Sequence, residues 1–165
     1  MFPKLLRGAD DHSIPAINVE SKGYIMVRLG TPPGAMHVYW HLVDPLFSLL
    51  ELGFEWPSGR LFDCSVPLFN GEVEDGGMGP PLEPTKGTPF FDLSEWSVDE
   101  GDRCARGNFL KQSGRLRVLR GMNAVSIVVK QSPRRRSLVC GESLICDFDK
   151  DDELCALTLL GSFLI

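Results

Sequence analysis

Residues 35–52, AMHVYWHLVDPLFSLLEL, restrict the fold more than any other stretch of this chain. Its polar side chains are His37, His41, Asp44, Ser48 and Glu51, spaced 4, 3, 4 and 3 apart. At about 100° per residue these fall within an arc of roughly 80° on a helix. Every other residue there is apolar or Pro45. The spacing predicts one helix over 35–52, entered through Thr31-Pro32-Pro33-Gly34. Pro45 would kink it, because proline lacks an N–H and crowds the preceding turn. The competing reading starts a new helix with Asp44 as its cap and Pro45 in the first helical position. A helix apolar around nearly three-quarters of its girth is not covered by one sheet face. The remainder must meet loops, a partner or a second copy. Most soluble oligomers are homo-oligomers, so self-association is expected, through Trp40, Leu46, Phe47 and Leu50.

The sheet that would cover this helix is read from the C-terminal third. RLRVLR and AVSIVVK flank Gly121-Met122-Asn123, and RSLVC and SLICDFD flank Gly141-Glu142. Glycine at the first central position suits a two-residue type II′ turn. That register pairs Cys140 with Ser143 and Val139 with Leu144, and puts Cys140 and Cys146 on opposite faces. DELCALTLL supplies a last strand. The expectation is an antiparallel meander over about 115–160. An N-terminal hairpin over 16–30 turns at Ser21-Lys22-Gly23, and 58–70 holds a further strand. With the helix this gives an α+β fold. The chain's 165 residues suffice for one domain with a core. Residues 1–15 read as a flexible arm and 16–165 as a single domain. Residues 71–89 carry five glycines and four prolines and read as a mobile loop.

Motif searches exclude more than they assign. His37 and His41, four apart, would share a helix face with Asp44, but the residues between them are Val-Tyr-Trp, so HExxH is missing. The expectation is a solvated stripe with no metal. Asp147-x-Asp149-x-Asp151 lacks the glycine and the terminal glutamate of a calcium loop. No phosphate-binding glycine loop or GxSxG elbow is present. Pro81-Leu82-Glu83-Pro84 is a PxxP within a proline-rich stretch. The five cysteines show no CxxC pairing and read as buried thiols of a reducing, intracellular compartment. No run approaches the length of a membrane span. No cofactor is implied.

Charge is distributed unevenly. Ten basic residues fall between 103 and 136 with no acid among them: Arg103, Arg106, Lys111, Arg115, Arg117, Arg120, Lys130, Arg134, Arg135 and Arg136. The rest of the chain holds seven basic residues against 22 acids, for a net charge of −5 overall. The acids flank the block: Glu72, Glu74 and Asp75, then Asp92 to Asp102, then Asp147 to Glu153. One reading neutralises the block within a monomer. The other joins basic face to acidic face between copies. The block would attract phosphate or anionic lipid, though Phe109 is the only aromatic within it, which is poor provision for base stacking. Ser137, after three arginines, is a candidate phosphosite whose modification would weaken anion binding.

The layout resembles that of small viral matrix and assembly proteins: a short arm, a strand–helix start, a mobile loop, a terminal sheet and a basic segment. It departs from them in its acidic net charge and in lacking PPxY or PTAP-like motifs in 71–89. The resemblance implies a non-enzymatic structural protein. Such a protein forms homo-oligomers and binds an anionic membrane surface or a ribonucleoprotein, peripherally where a membrane is the partner. A nucleic-acid-binding regulator using the same basic segment, and an enzyme with a motif-free site, are the alternatives.

Overall fold

Residues His37–Val43 alternate buried and half-exposed side chains with a period of two, whereas Leu144–Phe148 and nearly all of Leu154–Leu160 are buried on both faces. The computed structural model describes residues 1–9, 25–28, 36–96 and 109–161. Among the described residues there is no helix, and 56% are in strands. The α+β expectation is overturned: the protein is all-β.

Among the described residues fourteen strands form three sheets. The first sheet has five strands, in the order β2 (Ile25–Arg28), β5 (Leu61–Leu68), β4 (Leu49–Glu55), β3 (His37–Val43), β9 (Phe109–Ser113). The second has seven: β6 (Val73–Asp75), β10 (Arg117–Arg120), β11 (Ala124–Val128), β14 (Leu154–Leu160), β13 (Leu144–Phe148), β12 (Arg136–Cys140), β7 (Thr85–Lys86). A small third sheet pairs β1 (Leu5–Ala9) with β8 (Thr88–Phe91). Buried side chains of all three sheets make one continuous core. Phe91 of β8 lies between Phe54 of the first sheet, at 5.0 Å between ring centroids, and Phe148 of the second, at 6.0 Å. This is sandwich packing, with inner faces interdigitated and a small sheet bridging them.

The expected 35–52 helix is β3, a turn and β4. Val38, Trp40 and Leu42 are buried while His37, Tyr39, His41 and Val43 are half-exposed, which is strand alternation and not a helical stripe. The helical spacing arose from the hairpin itself. The register places His41 opposite Glu51 and His37 opposite Glu55, so the polar residues of two antiparallel strands mimicked one helix face. Pro45 sits in the turn, where it needs no N–H partner. With the helix goes the strand–helix start on which the resemblance to matrix proteins partly rested.

The C-terminal strands form the expected hairpins β10–β11 and β12–β13, and β13 pairs with β14. They do not form a simple meander. β14 returns to pair with β11, giving a Greek key. The β12–β13 turn holds three residues, with Gly141 at φ 60° and Cys140 opposite Leu144. The two-residue register is therefore corrected by one position. Leu138 faces Cys146, so Cys140 and Cys146 share a face, their free thiols 3.9 Å apart.

Residues 71–89 contain two short strands. β6 runs parallel to β10 at one edge of the seven-stranded sheet, and β7 runs parallel to β12 at the other. Residues 1–9 dock rather than hang free: Leu5 N donates to Asp152 O and Trp40 Nε1 to Met1 O. Of the expected 16–30 hairpin, only Ile25–Arg28 is described, as a strand against β5; its turn and the rest of the arm lie outside the described residues.

Candidate interaction surface and polar cleft

On β10 only Val118 is buried, and Arg117, Leu119 and Arg120 are half-buried or exposed beside β6 at the sheet edge, which positions the basic segment. Arg117 makes a two-pronged contact with Glu74, Nε to Oε1 at 2.7 Å and Nη2 to Oε2 at 2.5 Å. That hydrogen bond lowers the Glu74 pKa and raises that of Arg117. Arg120 meets Asp75 at 2.7 Å. Both pairs follow from β6 lying against β10, with Leu119 beside Glu74 and Arg120 beside Asp75. Lys130 meets Asp149 at 2.5 Å and also Glu153. Arg134 meets Asp147 at 3.4 Å, Arg135 meets Glu83 at 3.4 Å, and Arg136 meets Asp152 at 2.8 Å. Six of the ten basic residues thus sit beside carboxylates of their own chain. Lys111 is exposed on β9, and Arg115 is exposed with no ion pair among the described residues. Arg103 and Arg106 lie outside the described residues.

The other candidates are dispersed. Trp40 and Leu50 are fully buried in the core, so neither is a surface for a second copy. Leu46 and Phe47 are 57% and 77% exposed. Ser137 is buried. Its hydroxyl donates to Asp147 Oδ1 at 2.5 Å and accepts from Leu82 N at 2.8 Å, which withholds it from a kinase in the folded chain. The same contacts strap the PxxP segment to β12. His41 Nε2 pairs with Glu51 Oε2 at 2.7 Å, and His37 packs edge-on to Phe62. Asp44 is buried. Among the described residues no three histidines, cysteines or acids are grouped to hold a metal.

Asp44 organises the β3–β4 turn. Its carboxylate accepts from Leu46 N at 2.7 Å and from Leu116 N at 2.8 Å. Its N–H donates to Ser48 O, and its carbonyl accepts from Phe47 N. Asn70 adds two bonds, N to Ser48 Oγ at 2.9 Å and Nδ2 to Leu46 O at 3.2 Å. Phe47 is held at φ 64°, a left-handed conformation that costs a bulky residue about 1 kcal/mol or more. Six hydrogen bonds therefore fix a turn that aims a large aromatic side chain into solvent.

Beside this turn lies a cleft of ≈ 640 Å³, walled by Asp44, Leu46, Asn70, Glu72, Arg115 and Gln131, with the Glu74–Arg117 pair along one side. Glu72 and Arg115 are exposed, and neither has an ion pair among the described residues. The acid cluster at 72–75 is plain in the sequence. Asn70 and Gln131 carry no local signal, because only folding brings residues 44, 70, 115 and 131 together. Buried Asp44 had a signal, the Asp-Pro pair that commonly starts turns, which the helical spacing obscured. Among the described residues no helix is long and apolar enough to cross a membrane. No protein-family model matches the chain, and no curated protein matches it either.

Proposed function

We propose that this chain is a non-enzymatic assembly module that self-associates through the end of the sandwich formed by the 44–48 turn. The observation that carries this reading is Phe47: 77% exposed, at φ 64°, on a backbone pinned from both sides. Leu46, 57% exposed, widens the apolar tip, and an exposed apolar patch rimmed by polar groups is the usual mark of an interaction site. Six cations are occupied by carboxylates of the same chain, which favours a protein partner over a polyanion. An anionic membrane or ribonucleoprotein surface is the alternative partner in this proposal, competing with a second copy for Arg115, which has no ion pair among the described residues. An intracellular, reducing compartment, with peripheral membrane contact, belongs to the same reading, supported by the four buried thiols among the described residues.

Sedimentation equilibrium over a hundredfold range of concentration tests it. Wild type is expected to show reversible association and Phe47→Asp a monomer with an unchanged near-UV spectrum. A wild type that stays monomeric throughout would overturn the proposal.

A further inference from the structure

The turn and the cleft lie side by side, and each is what the other lacks. The tip, Pro45-Leu46-Phe47-Ser48, carries no charge, so it can enter a cavity without stripping water from an ion. The cleft is open, and its volume falls within the range that encloses a bound group. Its wall holds Leu46 and Leu116 among the polar groups. Arg117 is already satisfied by Glu74. Arg115 and Glu72 are two opposite charges on one surface, each without an ion pair among the described residues, although Arg115 lies near enough to Glu74 to help lower its pKa. A two-fold interface requires one surface to be its own complement. A patch with an uncharged apolar projection, an adjacent recess, and one exposed charge of each sign meets that requirement.

We propose that two copies meet about a two-fold axis at this end. The exposed Leu46–Phe47 tip of each seats in the cleft of the other, and Arg115 of each faces Glu72 of its neighbour. This rests on the assembly reading above and adds the seat and the charge pairs. The axis generates two such pairs per dimer, so their effect on affinity is counted twice.

Charge reversal with rescue is the test, read by sedimentation equilibrium at about 50 mM salt, where surface charges are least screened. Arg115→Glu sets like charges against Glu72, and Glu72→Arg does the same against Arg115. Each is expected to weaken dimerisation about tenfold or more. The double variant restores opposite charges and is expected to return to within about threefold of wild type. High salt should shrink all these differences. Near-UV circular dichroism on each variant shows that the monomer is folded. If the wild type dimerises and Phe47→Asp abolishes this, but the reversals change nothing or the double variant is no better than the singles, the seating is wrong while the assembly reading stands. If the wild type is monomeric at every concentration, both fail.

Discussion

Replacing Asp149 by asparagine should cost stability at neutral pH, and the cost should shrink in acid. Asp149 is 1% exposed, just past the end of β13. Burial pushes its carboxyl up, but hydrogen bonds from Lys130 Nζ, Asp151 N, Ser132 Oγ and Glu153 N outweigh that and hold it at about 2, against an ordinary value of 3.8. A carboxyl depressed in the folded state contributes stability that is complete above its unfolded pKa and is lost as pH falls through the folded one. The window is therefore about pH 4 down to pH 2. At 1.36 kcal/mol per pKa unit the contribution is about 2 kcal/mol. That is an upper figure, because the Lys130 side chain is 24% exposed and water screens the pair. The amide of Asp149→Asn keeps the shape and one acceptor but loses the charge. Urea denaturation at pH 7 should show the variant about 2 kcal/mol less stable, roughly 4–8 °C in Tm for a chain of this size. Repeated at pH 4, 3 and 2, the gap should shrink stepwise, to a small remainder at pH 2, where folded Asp149 is about half protonated. A gap that stays constant from pH 4 to pH 2, or one below about 0.5 kcal/mol at pH 7, would refute the linkage.

Four further outcomes are expected. Gly59→Ala should be strongly destabilising in thermal melts: Gly59 stands at φ 75°, and an added Cβ would lie 1.9 Å from the Phe91 carbonyl oxygen, so the penalty exceeds the ~1 kcal/mol of the backbone conformation alone. A basophilic kinase should phosphorylate a 130–142 peptide but not the native chain. Ser137→Ala should lower stability by about 1–3 kcal/mol, because Asp147 and Leu82 N each lose a buried partner; rapid stoichiometric phosphorylation of native protein contradicts this. Cys64 and Cys155 are pushed up by burial, Cys155 to about 11, and Cys146 is raised by its contact with Cys140 and by burial. These thiols and Cys140 should react with a disulfide reagent only as fast as the chain opens, and at once in denaturant.

The hairpins of the last fifty residues were legible because their turns carry glycine and asparagine between alternating runs. The error of one position at Cys140 arose because Gly141's positive φ serves turns of two and three residues alike. The failure at 35–52 has a different cause. A hairpin closed by a five-residue turn places His37, His41 and Glu51 on one face, and two nearly equal periods then fit the same letters. The buried set Val38, Trp40 and Leu42 fits only a period of two, so the apolar pattern, and not the polar one, distinguishes the alternatives. The density of the basic segment was readable, but its neutralisation was not. Arg117 and Glu74 are 43 residues apart, and their pairing depends on a three-residue parallel strand that no local pattern marks. The cleft was illegible for the same reason, being assembled from four separated segments.

The segment that joins β6 to β7 spans the seven-stranded sheet from one rim to the other. Its pairings link residues far apart: Val73 with Val118, and Thr85 with Leu138. The five strands between them pair through contacts that include two short hairpins. Chain closure over such distances is slow relative to hairpin formation, so this belt should be laid down last, onto a sheet already formed. Until then both rims present unpaired backbone groups, the template on which strands of separate molecules join. One segment, residues 73–86, thus guards two sites of aggregation together, and a single proteolytic cut near Gly79 should expose both.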